Sequence, residues 1–127
     1  HTSTYPECHS IAAIEAMATG AAVFTTDLGG QREATGGLAN MIPAGTDKAK
    51  LAEDFAALAI GELRRMKADP VEAQAERAER IRYVRDHYLW ADRAKAWDDW
   101  FNWLSRGRQQ APPDYAITRD TSHSSRA

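Results

Sequence analysis

Two glutamates near the start of the sequence, Glu7 and Glu15, are the residues whose type and spacing best suit chemistry. They lie eight positions apart, with Glu7 just before a predicted helix and Glu15 within it, so both can face the same cleft. A carboxylate accepts hydrogen bonds from two vicinal hydroxyls at once, which suits a ribose diol at Glu15 and a sugar at Glu7. The pair therefore indicates a site for hydroxyl-rich ligands.

The backbone between these two acids offers a site for an anion. The N–H groups at a helix N-terminus have no partners within the helix, and the helix dipole adds positive potential there. Here they belong to Cys8, His9, Ser10, Ile11 and Ala12. The His9 ring is a further candidate contact to a sugar or phosphate, and a loop histidine without a role is equally compatible with the sequence. Hydroxyl-binding acids beside such a helix end are typical of a nucleotide-sugar site.

A solvated helix face is the alternative explanation for the two acids, because spaced glutamates are common on surface helices. The neighbours of Glu15 favour a ligand instead. Glu15 lies in the segment IEAMA, which is otherwise small and apolar, and a lone carboxylate in apolar surroundings needs a partner. We therefore expect Glu15 to have a binding role.

Three motifs carry a resemblance to a known family. The first is E-x7-E, from Glu7 through EAMATG; the second is the loop TTDLGGQRE, at 25–33. The third is W-x-x-x-A-x-x-W, at Trp90, Ala94 and Trp97. This pattern resembles the retaining glycosyltransferases of the GT-B fold, family 4 type, whose signature is usually written P-S-x-x-E-G-F-G-x-x-x-x-E-A-M-A-x-G-x-P-V and is followed by T-x-x-G-G-x-x-E.

The resemblance covers roughly residues 4–104 and implies an α/β fold, namely part of the Rossmann-like donor-binding domain of a GT-B enzyme with a helical C-terminal region. It implies transfer of a sugar, with retention, from a nucleoside-diphosphate sugar to a glycan, lipid or other acceptor. Neither a metal nor another cofactor is expected. The helix end and a basic pair would stabilise the departing diphosphate, as electrostatic catalysis requires.

The resemblance also implies roles for individual residues. Glu7 would be the catalytic residue and would bind hydroxyls of the transferred sugar, and Glu15 would bind the nucleotide ribose. His9 would contact the donor. The remaining donor-binding residues would use their backbone amides to meet the diphosphate or the sugar, and these are Ser10, Ile11 and Ala12.

The sequence departs from the family pattern in three places. Cys8-His9-Ser10 replaces Gly-Phe-Gly after the first glutamate, which leaves the donor sugar open, and Ala21-Ala22-Val23 replaces x-P-V. The Arg and Lys that clamp the diphosphate lie upstream of the signature in the family, as does the acceptor domain. We therefore expect the chain to be a C-terminal piece of such an enzyme, inactive by itself.

The front third of the sequence alternates helix, strand, helix and strand, which is typical of a parallel α/β sheet. Ser10 is the predicted N-cap of the first helix, Ile11, Ile14 and Ala18 are expected on its inner face, and Gly20 ends it. The first strand is expected to be buried on both faces. The predicted ranges are 11–19 and 31–35 for the helices, and 21–26 and 40–42 for the strands.

Three further helices are predicted. One covers 47–67, one begins at Pro70 behind the N-cap Asp69, and one covers about 90–104. The arginines of the second, Arg80 among them, alternate with acids and favour a solvated, salt-bridged face. The predicted apolar stripes are Leu51, Phe55, Leu58, Ala59 and Met66, then Val71, Ala75, Ala78, Ile81 and Val84, then Trp90, Ala94, Trp97, Phe101 and Leu104.

Composition excludes several classes of protein. The chain has 127 residues, of which 43% are hydrophobic and 27% are charged, as in an ordinary globular domain. A net charge of -2 argues against a dedicated nucleic-acid-binding domain. The single cysteine, Cys8, excludes an internal disulfide and Cys-rich zinc sites. The apolar runs are far shorter than the ~20 residues of a membrane span, and no leader is visible, so we expect a cytoplasmic protein.

Residues 1–104 are expected to form the C-terminal part of the nucleotide-sugar-binding domain, and 105–127 a disordered tail. The expected partners are the nucleotide-sugar donor, a glycan or lipid acceptor and the missing N-terminal domain. The aromatic residues of the last helix could pack in a core, dock on that domain or make peripheral contact with a membrane. A nucleotide-sugar epimerase or phosphorylase relative of the same fold stays open, as does a non-catalytic helical interaction module.

Overall fold

The computed structural model of the protein describes residues 2–108, which form two strands and five helices. This part of the chain is mixed α/β, and the predicted alternation of helix and strand at its front is confirmed. In chain order the elements are α1 (Ile11–Ala18), β1 (Phe24–Asp27), α2 (Gln31–Ala34), β2 (Asn40–Pro43), α3 (Lys48–Ala68), α4 (Pro70–Tyr88) and α5 (Trp90–Ser105).

The two strands pair in parallel, with Phe24 opposite Asn40, and α2 supplies the crossover that a parallel pair requires. Thr25 and Thr26 of β1 are both fully buried. Because consecutive strand residues point to opposite faces, β1 is covered on both faces, as predicted. Helix α3 packs against β2, and its Phe55 ring meets the Phe24 ring edge-on at 6.0 Å between centroids.

The residues that the sequence predicts to begin or end the first helix and α4 are confirmed in these positions. The Ser10 hydroxyl accepts from the N–H of Ala13 at 3.3 Å and begins α1. Gly20, with φ at +81°, lies where a helix commonly ends in the left-handed conformation. The Asp69 carboxylate accepts from the N–H of Glu72 at 2.9 Å and begins α4. These ends depend on nearby residues alone, which is why the sequence predicts them.

One residue, Asp69, separates α3 from α4, and Arg65 bridges the corner between them. The Asp69 N–H donates to the Arg65 carbonyl at 2.9 Å, while its side chain caps α4. The Arg65 guanidinium donates to Glu62 on its own helix and to Glu76 on α4, each at 2.6 Å. The hydrogen bond from Arg65 lowers the pKa of Glu62. Together these contacts hold the two helices at a fixed corner.

The predicted inner face of α1 is wrong. Ala13 and Met17 are buried, whereas Ile11 is 61% exposed. The helix is apolar on almost every side, so its sequence contains no single stripe that would decide which face turns inward.

The predicted stripe of α4 is also wrong, since Val84 is its only buried member and Val71 is 80% exposed. Arg80, which the sequence places on a solvated face, is only 4% exposed. It can be buried because its Nε donates to the Gly20 carbonyl at 3.2 Å and its Nη1 lies 3.7 Å from Glu76. A buried charge with such partners is tolerated where an isolated one is not.

Helix α3 follows its predicted stripe, with Leu51 buried and the other four members half-buried. Gly61 lies on its exposed side, and no atom lies within 4 Å of where a Cβ would be. We expect Gly61→Ala to raise the free energy of unfolding by about 0.5–1 kcal/mol, because glycine gives up more backbone freedom in a helix than alanine. Urea denaturation measures this. The exposed Ala57 of the same helix provides the reverse control, Ala57→Gly, and equal stability of both variants would contradict the expectation.

The chain divides between Asp86 and His87 into two compact units. This division falls within the range 1–104 that the sequence assigns to one domain, and that assignment stays a prediction. In the second unit no residue of α5 is buried, and Trp90 is 81% exposed. Helix α5 extends one residue past its predicted end to Ser105, a turn follows through 108, and the rest of the predicted tail lies outside the described residues.

Among residues 2–108 no helix combines the length and the apolar character needed to cross a membrane.

Candidate functional site

Glu7 lies in the segment before α1, next to the loop that follows β1. Its backbone forms a parallel bridge with Gly29, and its carbonyl accepts from the Gly30 N–H at 2.7 Å. The loop after β1 begins at the carboxyl end of a parallel strand, and open α/β sheets bind their ligands at that edge. The structure therefore places Glu7 at the edge of the sheet where a ligand site is expected.

Gly29 and Gly30 allow this contact because neither position has room for a side chain. A Cβ on Gly29 would lie 2.5 Å from the Glu7 carbonyl oxygen, and φ there is +65°. A Cβ on Gly30 would collide with the carbonyl oxygen of Cys8. The sequence left open whether the two glycines form a plain turn or admit a donor, and the structure shows that they admit the backbone of the Glu7–Cys8 segment.

Both oxygens of the Glu7 carboxylate accept hydrogen bonds. Oε1 accepts from the Ser3 hydroxyl at 2.8 Å, and Oε2 accepts from Nε2 of Gln31 at 3.2 Å. Ser3 is itself tied to β1, because its carbonyl accepts from the Thr26 hydroxyl at 2.8 Å. The carboxylate is thereby fixed between the segment before α1 and the first residue of α2.

Ser3, Thr26 and Gln31 are site residues that sequence reasoning missed. Gln31 directly follows the two glycines, so once the loop is known to touch Glu7 its side chain must come close as well. Nothing in the spacing of Ser3 indicates that it would meet Glu7. Gln31 is fully buried, and its Oε1 has no hydrogen-bond partner within residues 2–108.

The N-terminus of α1 is open to solvent. The Ser10 hydroxyl is used by the N–H of Ala13, so its predicted donor contact would have to come from its backbone. Ile11 and Ala12 are exposed, and as the first residues of the helix they have N–H groups without acceptors inside it. His9 is exposed just before the cap. The predicted anion-binding residues therefore lie together at one accessible helix end.

Glu15 is exposed on the same side of α1 as Ile11 and Ala18, which are also exposed. Its carboxylate is solvated, so the expectation that apolar surroundings force it to find a partner is wrong, because those surroundings do not enclose it. The face that it shares is otherwise apolar. A lone carboxylate on an exposed apolar face is well suited to a ligand that has both hydroxyls and nonpolar surface.

One cationic side chain close to this site is already paired. Arg32, at the start of α2, forms a two-pronged ion pair with Asp27 at the end of β1. That hydrogen bond raises the pKa of Arg32 and occupies the face of the guanidinium that an anion would use. Within residues 2–108 no three His, Cys, Asp or Glu side chains form a group that could hold a metal ion.

Comparisons with known proteins do not indicate a function for this chain. No family model, no curated protein and no solved structure matches the chain. The case for a function therefore depends on the fixed carboxylate of Glu7 and on the open helix end behind it.

Proposed function

We propose that the chain is the donor-binding part of a retaining GT-B glycosyltransferase of the family 4 type, which transfers a sugar from a nucleoside-diphosphate sugar to a glycan, lipid or other acceptor. The observation that carries the proposal is the position of Glu7. Its carboxylate is held through both oxygens at the carboxyl edge of the sheet, and the open N-terminus of α1 follows it after three residues.

A carboxylate in this state still binds sugar hydroxyls. Two oxygens provide about four acceptor sites, and the hydrogen bonds from Ser3 and Gln31 fix the direction in which these sites point. Because the carboxylate is already fixed, a hydroxyl that binds it loses less free energy to the ordering of the side chain. Glu7 would thus orient the transferred sugar.

The open end of α1 would bind the diphosphate. Free N–H groups and the helix dipole stabilise anions at such a position, and charge that develops on a leaving diphosphate would be stabilised most. Because Arg32 is engaged by Asp27, further cations would have to come from other parts of the protein, as the resemblance implies for the upstream basic pair. In this proposal the chain supplies donor binding, and the acceptor binds to an N-terminal domain.

Glu15 would bind the ribose, and the apolar face around it would support the nucleoside. We expect Glu15→Gln, in the full-length protein that carries this chain, to weaken nucleoside-diphosphate binding about tenfold or more, since a hydrogen bond to a charged group contributes about 1.5–3 kcal/mol. Titration calorimetry with UDP, GDP and ADP measures it. Glu53→Gln on the exposed side of α3 is the matched control. Equal affinity in the wild type and both variants would refute the ribose assignment.

A second candidate function is supported by α5, whose aromatic side chains are unusually exposed. Trp97 is 50% and Phe101 is 57% exposed, and exposed aromatic surface favours an interaction module. Such a module would bind no nucleotide, so the same titration separates the two. A nucleotide-sugar epimerase of the same fold would also bind the donor, and analysis of the products formed from a labelled donor distinguishes it from a transferase.

A further inference from the structure

A cleft of about 420 Å³ lies at the far end of α1 from the candidate donor site. One wall is formed by residues 19–22, and the other by the part of α4 from Pro70 to Arg80, including Arg77. Met66 and Ala73 add apolar surface between these walls. Its size lies within the range of small-molecule sites.

The charge of this cleft is one-sided. Arg77 and Arg80 both line it, and no Asp or Glu does. Glu76, the nearest acid to Arg80, lies at the Nη1 side of the guanidinium and is not part of the lining.

Arg80 has a buried donor without an acceptor. Its side chain is 5% exposed, and Nη2 is buried and has no hydrogen-bond partner among the described residues. Nε and Nη2 lie side by side on one edge of a guanidinium, which is planar and rigid. Because Nε donates to the carbonyl of Gly20, a residue of the cleft lining, the neighbouring N–H of Nη2 points in the same direction as that of Nε. An unpaired charged donor in such a position is costly unless an acceptor reaches it.

Arg77 covers the rim of the same cleft. A Cβ placed on Gly20 would contact the Arg77 side chain, with Nε at 2.9 Å, so the arginine lies across the glycine. Two guanidinium groups thus converge on the end of α1 from one helix.

We propose that this cleft binds a soluble phosphate monoester with a small apolar substituent. The phosphate oxygens accept from Nη2 of Arg80 and from the guanidinium of Arg77, and the substituent lies against Met66 and Ala73. Arginine forks match phosphate oxygens in geometry as well as charge. The site is separate from the Glu7 site, and it does not depend on the function proposed above.

Calorimetric titration of the whole protein with butyl phosphate, inorganic phosphate and butanol tests this. We expect saturable binding of butyl phosphate, binding of inorganic phosphate that is weaker by about fivefold or more, and no binding of butanol. Arg77→Gln should weaken the affinity for butyl phosphate about tenfold. Arg82→Gln removes the same charge from an exposed position of the same helix and should change that affinity by less than about twofold.

Arg80→Lys keeps the charge but removes the paired Nε and Nη2 donors, so it should also reduce affinity, and circular dichroism checks that it folds. Arg77→Gln remains a valid test if Arg80→Lys does not fold. Absence of saturable binding overturns the proposal. Equal losses of butyl phosphate affinity in Arg77→Gln and Arg82→Gln also overturn it, because they would show a diffuse charge effect. Binding of the protein to phosphatidic acid vesicles without binding of butyl phosphate overturns it as well, because it would show a membrane-binding surface instead.

Discussion

Gly30→Ala is expected to lower the free energy of unfolding by about 2–3 kcal/mol, at the upper end of the usual effect of overpacking. The added Cβ would collide with the carbonyl oxygen of Cys8. That oxygen belongs to backbone and cannot rotate away as a flexible side chain would. Left-handed backbone strain does not contribute, because φ of Gly30 is -86°, outside the positive-φ region that disfavours alanine. Urea denaturation measures the change.

Gly45→Ala is the control for this substitution, since Gly45 also lies in a loop and no atom lies within 4 Å of its added Cβ. It should be neutral or slightly stabilising. If Gly30→Ala proved as stable as Gly45→Ala, the close approach of the loop after β1 to the Glu7 segment would be wrong. That result would also remove the basis for a fixed carboxylate at Glu7.

Glu7→Gln is expected to weaken binding of the nucleotide-sugar donor by about 10- to 150-fold, which corresponds to the loss of charged hydrogen bonds of about 1.5–3 kcal/mol. The fold should tolerate the change. Gln31 has both an amide nitrogen, which now donates to Glu7, and a buried Oε1 without a partner. Rotation of its amide by half a turn would present an acceptor to the new NH₂ group, so the two residues can still pair.

The experiment compares donor affinity and unfolding free energy of Glu7→Gln in the full-length protein. A large loss of affinity with a change in stability below about 1 kcal/mol supports a binding role for the charge. Unchanged affinity for the sugar donor would contradict it. A loss of both would assign Glu7 a structural role as the centre of the contacts with Ser3 and Gln31.

Much of the local structure could be predicted from the sequence. Ser10 and Asp69 begin helices through hydrogen bonds that each span three residues, so their signals are complete within a short segment. β1 begins three residues later than predicted and ends one residue later, and β2 extends one residue past its predicted end. Their parallel order follows from the helix between them. These features depend on neighbours in the chain.

Burial was harder to predict because it depends on distant partners. Ile11 has the apolar character of a core residue and is exposed, while Met17 of the same helix is fully buried. Arg80 has the character of a surface residue and is buried, because the Gly20 carbonyl, sixty positions earlier, accepts from it. No periodicity in α4 contains that information.

The residues of the candidate site also form two groups, those that the sequence identifies and those that it does not. Glu7 and the two glycines were identifiable from type and spacing, and the structure brings them together. The contacts of Ser3 and Gln31 with the carboxylate were not predictable, because nothing in the spacing of Ser3 indicates its contact and Gln31 lies 24 positions after Glu7. The role of Glu15 stays a prediction, and its surroundings differ from those that the sequence suggested.

The single-residue corner at Asp69 has a consequence for how this sequence can vary. Each residue of an α-helix turns the chain by about 100°, and Arg80 lies eleven positions after Asp69. One inserted or deleted residue between them would rotate the guanidinium away from Gly20, even though every helical hydrogen bond could re-form. The corner could not compensate for this rotation, because Asp69 is the single residue between the helices and Arg65 forms hydrogen bonds to both of them. The segment between Asp69 and Arg80 must therefore keep its length.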